Sequence, residues 1–386
     1  MSEWKKVKLG EVCEISAGGD RPQIFSNHRT DKCRIPIYSN GIDNEGLYGF
    51  TDTPKNNGNA ITITGRGANA GTVFYRKDPF LSIIRLLTLT PNSEIINAKY
   101  LFYLLKNKTF LSTGSAQPQI TVPNISQFEI EFNPDIETQH RIANILSRYD
   151  SLIENYQKQI KLLEEAAQRL YKEWFVDLHF PGHENTKIVD GVPEGWEKKK
   201  LCEFTGITDG THDSPKQVEI GLPLVTGRCI VDGSIDFSQA YNISEEDVIK
   251  INKRSAVEDG DILLSNIGTI GKVCRISKSG NYAVKNMIIF KPHDAIHSCF
   301  LHRFLTDNNT QMDFLQQAAG TSQKFVSLSF IRNTLILRPS DTILNLFYNH
   351  SEKYFNYVQT LQSQLRLLTE ARDRLLPKLM SGEIEI

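Results

Sequence analysis

The chain has 386 residues, 40% hydrophobic and 23% charged, with 44 Lys and Arg against 45 Asp and Glu and a net charge of −1. Its length allows two or three domains, and its composition is that of an ordinary globular chain. The near-neutral balance argues against a strong non-specific polyanion binder, but not against DNA binding through a small patch. No run of 18 apolar residues exists and the N-terminal segment MSEWKKVKLGE lacks an apolar signal core, which predicts a cytoplasmic chain with no membrane span. The cysteines at positions 13, 33, 202, 229, 274 and 299 form no CxxC pair and are expected to stay reduced and partly buried.

In chain order, residues 1–135 read as a mixed α/β domain. Strand-like runs cover 60–64, 71–75 and 83–89, a short helix covers 98–106, and Gly and Asn punctuate loops at 39–49 and 56–59. Residues 136–178 hold one long helix, from Thr138 to about Val176, with Asp135 or Thr138 as cap. Its apolar stripe includes Ile142, Tyr149, Leu152, Tyr156, Leu163 and Leu170. Pro181-Gly182 breaks the pattern, and 179–195 is a linker by composition. Residues 196–340 read as a second mixed domain. Residues 341–382 hold a second long helix, from Thr342 to about Met380, with Tyr354, Leu361, Leu368 and Leu375 on one side and Gly382 closing it.

The two halves repeat each other. WKKVKL at 4–9 answers WEKKKL at 196–201, GRGANAGTVFY at 65–75 answers SNIGTIGKVCR at 265–275, and GSAQ at 114–117 answers GTSQ at 320–323. QIKLLEEAAQRL at 159–170 answers QLRLLTEARDRL at 364–375. The order is the same throughout, and the period is too long for a solenoid. A helix of about 38 residues spans roughly 55 Å and would leave its stripe in water if isolated. The expected remedy is that the two stripes bury each other as an antiparallel coiled coil, with Gln157, Gln159, Gln362 and Gln364 as register markers. The fold class expected is therefore α+β (mixed α/β): two similar globular domains joined by two long antiparallel coiled-coil helices, with pseudo-two-fold symmetry. The alternative is that each helix packs on its own domain.

Four features together resemble the specificity subunit of type I restriction–modification systems. They are the duplication, the phrase GVPEGW at 191–196, the GSAQ and GTSQ turns, and the terminal RLLPKLMSGEI at 374–384. The resemblance covers essentially the whole chain. It implies two target-recognition domains, each reading one half of a bipartite double-stranded DNA target, on a scaffold that carries two methyltransferase (M) and two motor–nuclease (R) subunits. It implies no cofactor in this chain, with S-adenosylmethionine, ATP and Mg belonging to the partner subunits. The halves match poorly at 20–60 against 210–255, which in this family implies an asymmetric target.

Individual motifs carry two readings each. The Gly-rich runs at 65–71 and 266–272 depart from dinucleotide and Walker loops, since Val273 stands where a Ser or Thr would bind magnesium. They are either tight turns between core strands or loops that bring Arg66, Asn69, Asn266, Thr269 and Lys272 to DNA. Ser115, Gln117 and Gln119, with Gln323 and Lys324, are either turn formers or contacts to adenine and phosphate. The polar loops at 18–23 and 208–215 offer Arg21, Thr211 and His212, with Arg228 nearby. His293, His297, Cys299 and His302 have metal-like spacing without a counterpart in the first half, so the histidines read as surface residues at a helix start, and no metal is expected. No methyltransferase, nuclease or serine-triad motif is legible, which predicts a non-catalytic chain. The competing readings are a single-chain nuclease or methyltransferase and a coiled-coil assembly protein without nucleic acid.

Overall fold

In the computed structural model the described residues are 4–106, 108–110, 119–318 and 324–386. They form two compact units, Met1–Asn155 with Leu365–Ile386 and Tyr156–Gln364. Each unit contains one mixed domain and one segment of each long helix.

In the first unit, Lys5–Lys8 pairs antiparallel with Glu129–Phe132. A four-stranded antiparallel sheet follows in the order Cys13–Ala17, Leu87–Pro91, Ala60–Ile63, Val73–Arg76. A three-stranded sheet places Ile35–Tyr38 between Leu47–Thr51, antiparallel, and Leu81–Ser82, parallel. Ala60–Ile63 is buried along its whole length, and a strand covered on both faces reads as a continuous apolar run rather than an alternating one. The helix Ala98–Leu105 starts at Asn97, whose side chain accepts from the Tyr100 N–H, and buries Tyr100, Leu101 and Leu104 against the sheet residues Ile61, Ile63 and Leu89.

The second unit repeats this topology. Glu197–Lys200 pairs with Leu335–Arg338. The four-stranded sheet runs Gly206–Asp209, Met287–Lys291, Ile262–Ser265, Val273–Arg275, and the three-stranded sheet runs Tyr241–Ile243, Leu222–Val225, Ala283–Val284. The additions are a hairpin at Ile230–Val231 with Ser234–Ile235 and a helix, Glu245–Ser255, that has no counterpart in the first domain.

The first long helix is Ile136–Tyr171, followed by a π-helical turn at Lys172–Val176. Asp135 caps it, its carboxylate accepting from the Glu137 and Thr138 N–H groups. The second is Asp341–Ser381 and runs through Pro377. Within the first unit, Ile142 and Leu146 share a core with Leu376 and Leu379, and Asp150 accepts from Arg372 at 2.8 Å. Residue number rises on one helix as it falls on the other, so these segments are antiparallel. Asp150 also accepts from the Tyr103 hydroxyl at 2.6 Å, which ties the helix pair to the domain. Within the second unit, Trp174 packs on Phe347 and His350, and Tyr171 on Phe347. Further up, Glu164 and Gln168 face Phe355, Val358 and Gln362 across a cleft, again antiparallel.

Several expectations change. The run 83–89 is not one strand, because Ile84 and Arg85 take left-handed backbone angles that split it. Leu152 is 43% exposed, and its neighbour Ile153 is the buried residue. Tyr149, Tyr156, Leu163, Leu170, Tyr354, Leu368 and Leu375 are half-buried, while Ile142 and Leu361 are buried. Three of the four glutamines are not seam markers: Gln362 accepts from Ser234 and donates to the Asp232 carbonyl, and Gln157 and Gln364 are exposed, while Gln159 is half-buried. The linker is ordered by Phe180 against Trp196, ring centroids 4.6 Å apart, and by the hairpin Ile188–Val189 with Val192–Pro193. Cys299 is buried, as expected of the cysteines, and His302 is half-buried against Phe355, where burial holds its imidazole well below its usual pKa, rather than lying free on the surface. No helix is long and apolar enough to cross a membrane among the described residues.

Gln139 is fully buried at the root of the first long helix. Its Oε1 accepts from the Asn97 N–H at 2.8 Å and its Nε2 donates to the Asn133 carbonyl at 2.8 Å and the Ile95 carbonyl at 3.1 Å. Gln139→Leu removes the side-chain partner of three backbone groups. The expected loss is roughly 2–3 kcal/mol, read as a drop of several degrees in Tm; an unchanged Tm would show that the helix root does not depend on this side chain.

Candidate nucleic-acid interface

Strand register gathers the loops. In the first domain Ala17 pairs with Leu87, Leu87 with Ile63, and Ile63 with Val73. The segment after Ala17, the turn before Leu87 and the loop between Ile63 and Val73 therefore leave the same end of the four-stranded sheet. In the second domain Asp209 pairs with Ile288, Ile288 with Leu264, and Leu264 with Val273, which places the equivalent loops at the equivalent end.

A fourth segment joins them. The Ile120 N–H donates to the Gly65 carbonyl at 2.9 Å, and Arg66 bridges Gln119 through the backbone. In the second domain the Val326 N–H donates to Asn266 and the Gly268 N–H to Lys324, both at 2.9 Å. The Gly-rich loops and the segments that follow the Gly-Ser-Ala-Gln and Gly-Thr-Ser-Gln turns are thus neighbours in both domains. Ser115, Gln117 and Gln323 lie outside the described residues.

One hydroxyl shapes each Gly-rich loop. Thr64 donates to the Asn69 carbonyl and accepts from the Thr72 N–H at 3.0 Å; Ser265 donates to the Thr269 carbonyl and accepts from the Lys272 N–H at 3.0 Å. The hydroxyl binds only backbone, and in the first domain the side chains of Arg66 and Asn69, which lie between, have no folding duties. Arg66 and Asn69 are exposed, and no side-chain hydrogen bond or ion pair engages them among the described residues. Arg21 is exposed with its guanidinium 5.1 Å from the Phe25 ring centroid.

The second domain engages more of its polar groups internally. Lys272 donates to the Ile230 carbonyl at 2.7 Å, Asn266 donates to the Val326 carbonyl at 3.0 Å, and Thr211 is buried with its hydroxyl accepting from the Asp213 N–H. Arg228, Thr269 and Lys324 are exposed. His212 is exposed and lies between two oxygens, Nε2 2.7 Å from Asp209 Oδ2 and Nδ1 3.0 Å from Asn286 Oδ1. Arg254, on the helix without a counterpart, donates to the Asp209 and Gly210 carbonyls. Between that helix and residues 211–215 lies an open cleft of about 700 Å³ to which Lys250 and Arg254 contribute.

Several residues at these sheet ends carry no sequence signal. Asn40 accepts from the Gly65 N–H at 2.7 Å and donates to the Ile84 carbonyl, joining two of the loops. Arg85, Asn286, Lys285 and Arg254 also lie here. Tracing the internal repeat through the strand register would have found Arg85 and Asn286, but the loop sequences themselves are too unlike to align. Among the described residues no group of His, Cys, Asp and Glu could hold a metal ion.

Duplicated mixed domains, paired long-helix segments and matching loop clusters define the class of fold. Residues 1–165 match the family model described as the type I restriction modification DNA specificity domain. The chain is 28% identical to the specificity subunit of the type I restriction enzyme MjaIX of Methanocaldococcus jannaschii, over 84% of this chain and 78% of that one. It is 24% identical to the HindI specificity subunit of Haemophilus influenzae, over the full length of both. Its fold matches the crystal structure of a type I restriction–modification S subunit from M. genitalium with a TM-score of 0.68 at 17% identity, covering 98% of this chain and 96% of that one. Residues 1–165 thus match a type I restriction modification DNA specificity domain, and the chain over its length is similar to specificity subunits of type I restriction enzymes.

Two glycines test how the loops are held. A Cβ at Gly210 would stand 2.4 Å from the Val284 carbonyl oxygen, a contact with backbone that cannot give way, whereas a Cβ at Gly67 meets nothing within 4 Å and adds only the strain of φ +83°. Gly67→Ala is expected to cost about 1 kcal/mol. Gly210→Ala should cost clearly more and displace the loop bearing His212. Chemical denaturation of the two variants checks this, and equal costs would contradict the packing described.

Proposed function

We propose that this chain is the DNA-specificity subunit of a type I restriction–modification complex, that it binds a bipartite, asymmetric double-stranded target, and that it scaffolds two M and two R subunits. The observation that carries the reading is the repeated sheet-end cluster: one topology, built twice, bearing different exposed side chains. The first domain offers Arg21, Arg66 and Asn69; the second offers His212, Arg228 and Lys324. Two frames of one design with unlike side chains suit two half-sites of unlike sequence. The major groove is the surface where all four base pairs are distinguishable, and Arg, Asn and His are side chains suited to base edges and phosphates there.

The chain itself is read as non-catalytic. Methyl transfer, with S-adenosylmethionine, and translocation and cleavage, with ATP and Mg, fall to the partners, and the target adenine is flipped into an M subunit. A net charge of −1 accords with partners that supply much of the basic surface. A catalytic reading would instead require the purified chain alone to methylate or cut DNA.

Genome-wide mapping of N6-methyladenine in the source cell, with and without this gene, tests the proposal. One split, asymmetric motif is expected to lose methylation on deletion. Replacing residues 1–135 with another recognition domain is expected to change one half of that motif and leave the other unaltered. A motif that survives deletion of the gene in cells expressing the partner subunits would refute the reading.

A further inference from the structure

Each domain holds a side-chain-bearing residue in the left-handed backbone region at the same place, just ahead of the strand that lies second in the sheet. Gly18 donates its N–H to the Leu86 carbonyl, and Gly210 donates to the Met287 carbonyl, both at 2.8 Å. The residue before the acceptor is Arg85, at φ +58°, in the first domain and Asn286, at φ +53°, in the second. Ile84, at φ +53°, precedes Arg85. A β-branched residue avoids this region, so the surroundings must enforce it, and such enforced conformations gather at functional positions.

The enforcement is visible. The Ile84 N–H donates to the Gly19 carbonyl and the Arg85 N–H to the Gly18 carbonyl, both at 2.8 Å, while Asn40 donates to the Ile84 carbonyl. The Asn286 N–H donates to the Thr211 carbonyl at 3.1 Å. Gly18 and Gly210 are both glycines of necessity, since a Cβ at Gly18 would stand 2.7 Å from the Ile83 nitrogen and one at Gly210 as close to Val284. The same clasp is therefore built twice with one residue more in the first domain: the Gly19–Ile83 and Thr211–Lys285 bridges align Asn286 with Ile84, whereas counting back from the shared acceptor aligns it with Arg85, the last left-handed residue before the strand.

What the two turns present differs. Arg85 is exposed and makes no side-chain hydrogen bond or ion pair among the described residues, and Ile84 beside it is 53% exposed. Asn286 is half-buried, its amide oxygen 3.0 Å from the His212 ring, which Asp209 in turn orients.

We propose that this left-handed residue is the base-reading position of each domain, with Arg85 reading a guanine in one half-site and Asn286 an adenine in the other. The inference rests on the DNA-specificity reading above and names the residues that execute it. Guanine shows two acceptors, O6 and N7, in the major groove, which the guanidinium fork matches; adenine shows N7 and the N6 amino group, which a carboxamide matches. The His212 contact leaves Asn286 a second lone pair on its oxygen and both amide hydrogens for a base. A phosphate contact needs only charge and reach, whereas a base contact needs direction, and a backbone held in one unusual conformation supplies direction.

The test expresses the chain with its partner subunits in cells lacking other copies, as the parental protein, Arg85→Ala, Arg85→Lys or Asn286→Ala, and maps N6-methyladenine motifs in each. Melting of the purified complexes is expected to match the parental complex for the Arg85 variants, whose side chain makes no bond among the described residues, and to fall slightly for Asn286→Ala, which loses the His212 contact. Arg85→Ala should make one guanine of one half-site degenerate, with discrimination there falling roughly tenfold to a hundredfold. Arg85→Lys should retain part of the guanine preference, and Asn286→Ala should relax an adenine in the other half-site only. Uniformly weaker methylation with an unchanged motif would make Arg85 a phosphate contact and overturn the proposal. Relaxation of the same half-site by both alanine variants, or loss of all methylation by Arg85→Lys at parental melting temperature, would overturn it as well. Failure of the parental chain to direct any motif would instead sink the specificity reading itself.

Discussion

The structure depends first on a short ladder that closes each domain. The strand by which the chain enters, Lys5–Lys8, pairs with the strand by which it leaves, Glu129–Phe132, and Glu197–Lys200 pairs with Leu335–Arg338 in the same way. In the first ladder Lys6 faces Glu131 and Lys8 faces Glu129 on the outer side, while Val7 and Ile130 meet on the inner side. Opposite charges and apolar pairs across an antiparallel ladder select one register. That register fixes where Asp135 stands, and hence where the first long helix starts and which of its faces meets the domain. Gln139 then ties the helix root to the domain through hydrogen bonds to the Asn97, Ile95 and Asn133 backbone.

From that fixed root, the sheet carries order outward to its far end. Its strands are held by packing on both faces, so their ends are well placed, and the loops inherit that placement through backbone contacts. Thr64 and Ser265 do for the Gly-rich loops what a ligand would do elsewhere: they satisfy inward-facing backbone groups, and in the first domain the outer side chains are left without structural duties. Asn40 performs a similar task between two loops of the first domain, and Gly227, whose absent side chain makes room for Ser265, occupies the matching place in the second.

The sequence made the frame legible because frame segments obey periodic rules. The long helices showed in stripes such as Ile142–Leu146 and Phe355–Val358–Leu361, and the duplication showed in segments constrained by packing. The site was less legible for a physical reason. A residue in a loop is placed by hydrogen bonds between backbone groups far apart in sequence, and these leave little trace in side-chain identity. Arg66 and Asn69 could be suspected because glycines surround them, but Ile84 and Arg85 sit in a run whose composition says strand. Lys272 looked free by charge alone, yet its amine serves the Ile230 carbonyl. The glutamines of the helices looked like register devices by periodicity, while Gln362 in fact braces the turn at Asp232–Ser234.

The two domains differ in how tightly their outer polar residues are tied to folding, and this has an evolutionary consequence. In the first domain Arg66, Asn69 and Arg85 hold up nothing, so single substitutions there can be explored at almost no cost in stability. In the second, His212, Asp209, Asn286 and Arg254 form one connected set, and changing any member alters the others. Drift can therefore alter the outer surface of the first domain one residue at a time, whereas the second is epistatic and changes in concerted steps. A lineage of such proteins would be expected to diversify faster through its first half, and to acquire new second halves by exchange of the intact domain.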